Sequence, residues 1–266
     1  NVARGTLQFA NAATASLYSG TGTTGQSVTV GSDGTIDLNG NNSTMANLSG
    51  DGLITSTVVA GTPTLTLNTT AASSFGGVIE NGSGTTALTK ATGTATQTLT
   101  GVNTYTGATN VNAGELAVTG TGTLASTDLN TGSNGTLSTD GGALAAASTL
   151  QNAGTFTITG TETIANVTGG TGTINVNGAA TELQIAGSLP GGSTIAGAVD
   201  STVNDAGTLV LNGTTEIAAT TGDVNIDTAV SSTGIVTNNG AVSAVENAGD
   251  FTNNAVAGAI TNTDTL

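Results

Sequence analysis

The chain contains no cysteine, no histidine and no tryptophan among its 266 residues. Disulfides are therefore excluded, and so is any Ser-His-Asp triad. Lysine and arginine total 2, at Arg4 and Lys90, against 17 aspartates and glutamates, for a net charge of −15. Nucleic acid is excluded as an expected partner, because phosphate binding needs lysine and arginine. An anionic membrane surface is excluded on the same ground. Aromatic residues make up 2 %, too few to fill a compact two-layer core. No signal-peptide pattern and no apolar run of spanning length occurs in the sequence, so no direct membrane insertion by this segment is expected.

What is present is glycine, 41 residues of it, and threonine, about a fifth of the chain, well above ordinary globular usage. Charged residues are only 7 % and mean hydropathy is +0.15, a balance that argues against disorder. A chain that is ordered yet poor in large side chains needs a thin, continuous core of Val, Ile, Leu and Ala. A solenoid supplies one, because each coil buries its apolar face against the next.

The local pattern agrees. Gly5-Thr-Leu7, Gly34-Thr-Ile36, Gly122-Thr-Leu124, Gly135-Thr-Leu137, Gly154-Thr-Phe156, Gly172-Thr-Ile174 and Gly207-Thr-Leu209 each read as a glycine turn feeding a short alternating strand. The spacing suggests about 20 residues per coil. Asn-Gly pairs at Asn39, Asn81, Asn134, Asn177, Asn212 and Asn239 are expected to form turns. Pro63 precedes Leu65-Thr-Leu67, where a strand start tolerates a missing N–H. Leu144-Ala-Ala-Ala-Ser148 is read as a small-residue strand, and Pro190-Gly-Gly192 as a loop between coils. Phe9, Phe75, Phe156 and Phe251 are expected in the core, and Tyr105 in a packing or turn role.

Between residues 99 and 118 the pattern becomes a phrase: Gly101, Asn103, Thr104, Tyr105, Thr106, Gly107, Thr109, Val111, Gly114 and Leu116. We expect Thr98–Thr100 to end one strand, Thr109–Val111 to open a second and Leu116–Val118 to belong to a third. The phrase resembles the repeat of autotransporter passengers, G-x-N-T-Y-T-G-x-T-x-V-x-x-G-x-L. The preceding segments Asp37-Leu-Asn-Gly40, Leu48-Ser-Gly50-Asp-Gly52, Phe75-Gly-Gly-Val-Ile-Glu80 and Leu88-Thr-Lys90 are similar to that family too. The likeness covers roughly residues 28–118, and Ala91–Gln97 departs from the family's usual run after its lysine. The resemblance implies a right-handed parallel β-helix outside the cell, anchored through a β-barrel that this sequence does not contain. Absence of cysteine suits passage of an unfolded chain through such a pore. One continuous β-helical segment is expected over 1–266, repeat-like over 1–130 and less regular over 131–266, as part of a longer surface protein.

Candidate chemistry is thin. Asp223-Val-Asn225-Ile-Asp227 opens like a calcium loop, but Thr228 and Gly234 stand where the glycine and the terminal glutamate belong. Weak calcium binding between coils is the most this segment offers, and a polar strand face is the simpler reading. Asp200 with Asp205, or Glu182 with Glu216, would be the carboxylate pairs of a glycosidase. Lys90 and Arg4 are the available cationic bases for a polysaccharide lyase. No catalytic, cofactor or metal residue is assigned, and no enzymatic activity is expected. Thr-x-Thr runs at Thr64–Thr66, Thr94–Thr100 and Thr155–Thr159 would bind ice if aligned, but their spacing drifts, which favours strand packing of β-branched residues. The expected role is an extracellular structural or adhesive rod, acting as spacer or in adhesion, aggregation or fibre formation. Its partners would be cell-surface or matrix molecules or further copies of itself. The alternatives are an ice- or carbohydrate-binding solenoid, or a surface-layer or sheath subunit.

Overall fold

The structure is a computed structural model. It describes residues 1–9, 26–59, 61–168 and 172–176, and elsewhere the strand segments alone. Among the described residues every regular element is a β-strand. The chain divides into two compact units, Asn1–Ser138 and Thr139–Leu266.

The first unit opens with β1 (Val2–Gln8), β2 (Ala15–Ser16) and β3 (Val28–Asp37). Coils of three strands follow. One holds β4 (Ser43–Met45), β5 (Leu48–Gly50) and β6 (Leu53–Thr55), and the next β7 (Thr64–Leu67), β8 (Ser73–Phe75) and β9 (Val78–Ile79). The third holds β10 (Ala87–Lys90), β11 (Thr96–Leu99) and β12 (Val102–Asn103). In the fourth, β13 (Thr109–Val118) runs through two strand positions before β14 (Thr123–Leu124). The expected second and third strands of the phrase are thus one strand, bent at Gly114, whose φ of 67° lets the chain turn a corner without breaking.

All of these pairings are parallel. β4, β7, β10 and the first half of β13 form one column, and β5, β8, β11 and the second half of β13 another. β3, β6 and β9 build the third, and β12 pairs with β14. This is a parallel β-solenoid, the architecture that sparse aromatics and repeated Gly-Thr-apolar triplets call for.

Alternation within each strand sends every second side chain inward. Leu7, Ile36, Ile54 and Ile79 are register partners through successive coils. Val30, Gly50, Phe75, Leu99 and Val118 form another inner line. Ile36, Ile54, Ile79, Phe75, Leu99 and Val118 are all fully buried. Each such side chain is worth about 1.5–3 kcal/mol on burial, yet only the coil above and below completes that burial.

Corners are where the sequence expectations meet more varied outcomes. Asn39 and Gly40 both have positive φ, 49° and 76°, and Asn41 N–H donates to the Leu38 carbonyl, closing a type I′ turn. Asn81-Gly82 also turns. Asn134 does not: it lies inside the strand Asp128–Thr139, and its glycine serves close approach to the Val111 carbonyl instead. The pairs at Asn177 and Asn239 fall outside the described residues, while Asn212 ends the strand Leu209–Asn212. Pro63 directly precedes β7, and its carbonyl accepts from Ala87 N–H.

In the second unit, Thr155–Ile158, Thr173–Val176, Thr194–Gly197, Thr215–Ile217, Val236–Asn238 and Phe251–Asn253 pair successively in parallel. Glu162–Ile164, Glu182–Ile185, Ser201–Asn204 and Val224–Ile226 form a second such column. Phe156, Ile158, Ile164 and Ile174 are fully buried. Leu144–Ser148 is not the small-residue strand expected: Leu144 makes a single β-bridge and Ala146–Ala147 turn. Ser148 N–H donates to the Ala145 carbonyl, and Ala143 and Leu144 N–H donate to the Glu162 carboxylate instead of to a neighbouring strand. Leu189–Pro190 is a short strand end paired with Leu211–Asn212; Gly191 and Gly192 fall outside the described residues.

Candidate functional site

Between residues 90 and 109 the first unit buries Lys90, Gln97, Asn103 and Thr109, and neighbouring backbone or side-chain groups pair with each of them. Gly101 comes first. A Cβ there would stand 2.0 Å from the Gly77 carbonyl oxygen, so only glycine lets the two coils stack. Asn103 takes a position on the inner line otherwise held by aliphatics. Its Oδ1 accepts from Ile79 N–H at 3.1 Å, and its Nδ2 donates to the Gly101 carbonyl at 2.8 Å and the Thr123 carbonyl at 3.1 Å. One buried amide thereby joins three consecutive coils.

Tyr105 is fully buried and its hydroxyl pairs with Thr109 Oγ1 at 2.7 Å. Burial pushes the phenol pKa up, and the Thr109 hydrogen bond only partly offsets this. The packing role expected for it holds. The loop around it is pinned from below, where Asn81 Oδ1 accepts from both Thr86 N–H and Thr106 N–H at 3.0 Å.

Gln97 is also fully buried. It sits over Ser73, at a place where β5 and β8 share a single register pair. Its Oε1 accepts from Leu48 N–H and from Ser73 Oγ, and its Nε2 donates to the Leu48 carbonyl at 2.9 Å. A side-chain amide thus stands in for the missing backbone ladder, 49 residues away in sequence. The strand holding it begins at Thr96, so the irregular Ala91–Ala95 run is absorbed by a corner.

Lys90 is the least expected feature. Its side chain is fully buried, and Nζ donates to the carbonyls of Thr92 (2.9 Å), Gly93 (3.1 Å) and Ala113 (2.9 Å). Burial lowers its pKa. The amine is spent on the backbone, so it is not open to a substrate as the base of a lyase. Arg4, the other candidate, is exposed and pairs with Asp33 at 3.3 Å.

Two carboxylates are buried as well. Asp37 accepts from Asn39 N–H, Thr57 N–H, Thr57 Oγ1 and Gln8 Nε2. Burial alone would raise its pKa, but those four hydrogen bonds outweigh it and leave the pKa lowered. Glu162 caps Ala143 and Leu144, and there burial prevails and raises the pKa. The sequence signal for Asp37 was its position just before Asn39-Gly40; nothing marked Glu162.

The side chains of Glu182 and Glu216, and Asp200 and Asp205 altogether, fall outside the described residues. Backbone register places Glu182 and Glu216 in different strand columns. Val224–Ile226 is a strand, while Asp223 and Asp227 fall outside the described residues, as does the side chain of Phe251. Phe9, Phe75 and Phe156 are core residues.

The outer faces correct one expectation. Thr44, Thr66, Thr89 and Asn110 are register partners on consecutive coils, at sequence spacings of 22, 23 and 21 residues. Alternation turns them outward, since Ser43, Met45, Leu65, Leu67, Leu88 and Lys90 beside them are buried. Drifting spacing in sequence is therefore compatible with a straight row in space, because corners of unequal length take up the difference.

Fold and site together define a parallel β-solenoid whose repeat phrase serves to close and stack coils. Residues 88–118 match the family model described as passenger-associated-transport-repeat. Neither a curated protein nor a solved structure matches the chain.

Proposed function

We propose that the chain is part of an extracellular passenger of an autotransporter-like surface protein, and that its role is structural: a stacked spacer or adhesive segment. The observation that carries this reading is the fate of the polar residues in and just before the repeat phrase. Asn103, Gln97 and Lys90 are buried and bonded to neighbouring coils, and Tyr105 and Thr109 are buried and bonded to each other, so this stretch is spent on closing and stacking coils. Side chains committed in this way build a surface without doing chemistry at it. Adhesion then works through long, weak, repeated contacts along the outer faces, and net charge of −15 keeps neighbouring copies apart at low salt. The test is to fuse the full chain to an outer-membrane barrel and measure cell settling and surface retention. Cells displaying it should aggregate or adhere more than cells displaying the barrel alone, most clearly at raised salt. Equal behaviour at every salt concentration contradicts the adhesive reading.

The outward threonine row supports a second reading, binding to ice. Thr44, Thr66 and Thr89 present hydroxyl and methyl groups at the strand spacing of about 4.8 Å. Thermal hysteresis of the purified chain that disappears in Thr66→Asp would favour it; none in the unmodified chain removes it.

A further inference from the structure

Lys90 is the sole lysine of the chain, and the structure puts it where no solvent and no carboxylate meets it. Its three hydrogen-bond acceptors are backbone carbonyls drawn from two coils: Thr92 and Gly93 at the corner following β10, and Ala113 at the corner of the next coil. Three N–H donors meet three carbonyl oxygens at 2.9–3.1 Å, which satisfies an ammonium completely. The next residue after Ala113 is Gly114, where a Cβ would lie 2.9 Å from Nζ, 2.4 Å from the Gly93 carbonyl and 3.1 Å from the Ala95 carbonyl. Carbonyl oxygens therefore converge on this corner from several residues. Partial negative charges facing one another in a buried space repel unless a cation stands among them.

We propose that the carbonyls of Thr92, Gly93 and Ala113 form a cation site selective for N–H-bearing ammonium groups, and that Lys90 is its built-in ligand. The chain supplies from its own sequence the monovalent cation that this corner requires. The side chain's position explains why one of only two cationic residues is buried rather than left on the surface: a neutral residue of the same length would fill the volume of the stem but offer these three carbonyls no donor. Coil-to-coil docking at residues 90–114 then depends on a charged amine. Acylation of Lys90 before folding, which converts the ammonium to a neutral amide, should block closure of this corner.

The test is chemical rescue of the full chain. Lys90→Ala empties the site, and Lys90→Met keeps the stem volume without the charge. Thermal melts of both, with circular dichroism to establish that each folds, are recorded in sodium, ammonium, methylammonium and tetramethylammonium chloride at equal ionic strength. Both variants should melt below the parent in sodium. Ammonium and methylammonium should raise the melting point of Lys90→Ala, while tetramethylammonium, which has no N–H, should not, and Lys90→Met should respond to none of them. Equal effects of all four salts on Lys90→Ala overturn the proposal, as does Lys90→Met melting with the parent. Where a variant fails to fold, the parent decides: an amine-reactive ester should label Lys90 at least about tenfold more slowly in the native chain than in urea, as expected for a buried amine reached only through opening. Labelling at the unfolded rate overturns the proposal.

Discussion

Asp37 shows how one residue sets the chain's response to acid. Its carboxylate is buried and accepts four hydrogen bonds from Gln8, Asn39 and Thr57. Because its folded pKa lies below the ordinary aspartate value, the unfolded chain binds the proton first as pH falls. Its stabilisation is complete above the ordinary aspartate range and is lost as pH drops through the folded value. Asp37→Asn should cost about 2–3 kcal/mol near neutral pH, the scale of hydrogen bonds to a charged group. The gap from the parent in urea melts should narrow as pH falls below the ordinary aspartate range. Glu162 has the opposite sign. Its folded pKa is raised, so its contribution is fully present below the ordinary glutamate value and is lost as pH rises through the folded one. Gly101 makes a separate test of close approach. With the Gly77 carbonyl only 2.0 Å from where a Cβ would be, Gly101→Ala should destabilise by about 1–3 kcal/mol through overpacking, read as a lowered urea midpoint with circular dichroism.

Strands here are short, two to four residues in most coils, and their stability is borrowed from side-chain amides that cross the gaps. Gln97 is the clearest case, bonding both N–H and carbonyl of Leu48 two coils below. Replacing it with leucine keeps the volume but leaves those buried groups unpaired, at about 1–3 kcal/mol each. Hydrogen exchange should accelerate first at Leu48 in Gln97→Leu, before any amide of β7 or β10; uniform acceleration would count against a local bridge. The strands themselves were legible, because Gly-Thr-apolar triplets mark where alternation begins and the repeat phrase names its glycines. What was not legible was which polar residues turn inward. Lys90, Gln97 and Asn103 look like surface residues by type, and only the coil above and below reveals that backbone groups wait for them. Leu144–Ser148 misled for a related reason. Its small residues lie among strand-like segments, but the Glu162 carboxylate takes the Ala143 and Leu144 N–H groups, and Leu144 is left with a single bridge.

At the level of the whole molecule, each unit gains its stability by stacking, and each inner line of Leu, Ile, Val and Phe is shared between coils. Sequence alone conveyed this architecture through scarcity: few aromatics and no cysteine leave a solenoid as the economical way to bury small aliphatics. It did not convey the outward rows, because corners of unequal length disguise their period. Thr66 faces Thr89 although 23 residues separate them, and Thr44 faces Thr66 across 22. The account stands on that parallel register.

A cysteine-free chain allows it to be measured without background. Parallel neighbours about 4.8 Å apart fall within disulfide reach, whereas a pair displaced by two residues along the strand does not. Under mild oxidation the Thr66→Cys, Thr89→Cys double variant should form an intrachain disulfide, and Thr66→Cys, Ala91→Cys should remain reduced. A disulfide in the second pair with none in the first would contradict the stacked, in-register coils on which every other conclusion rests.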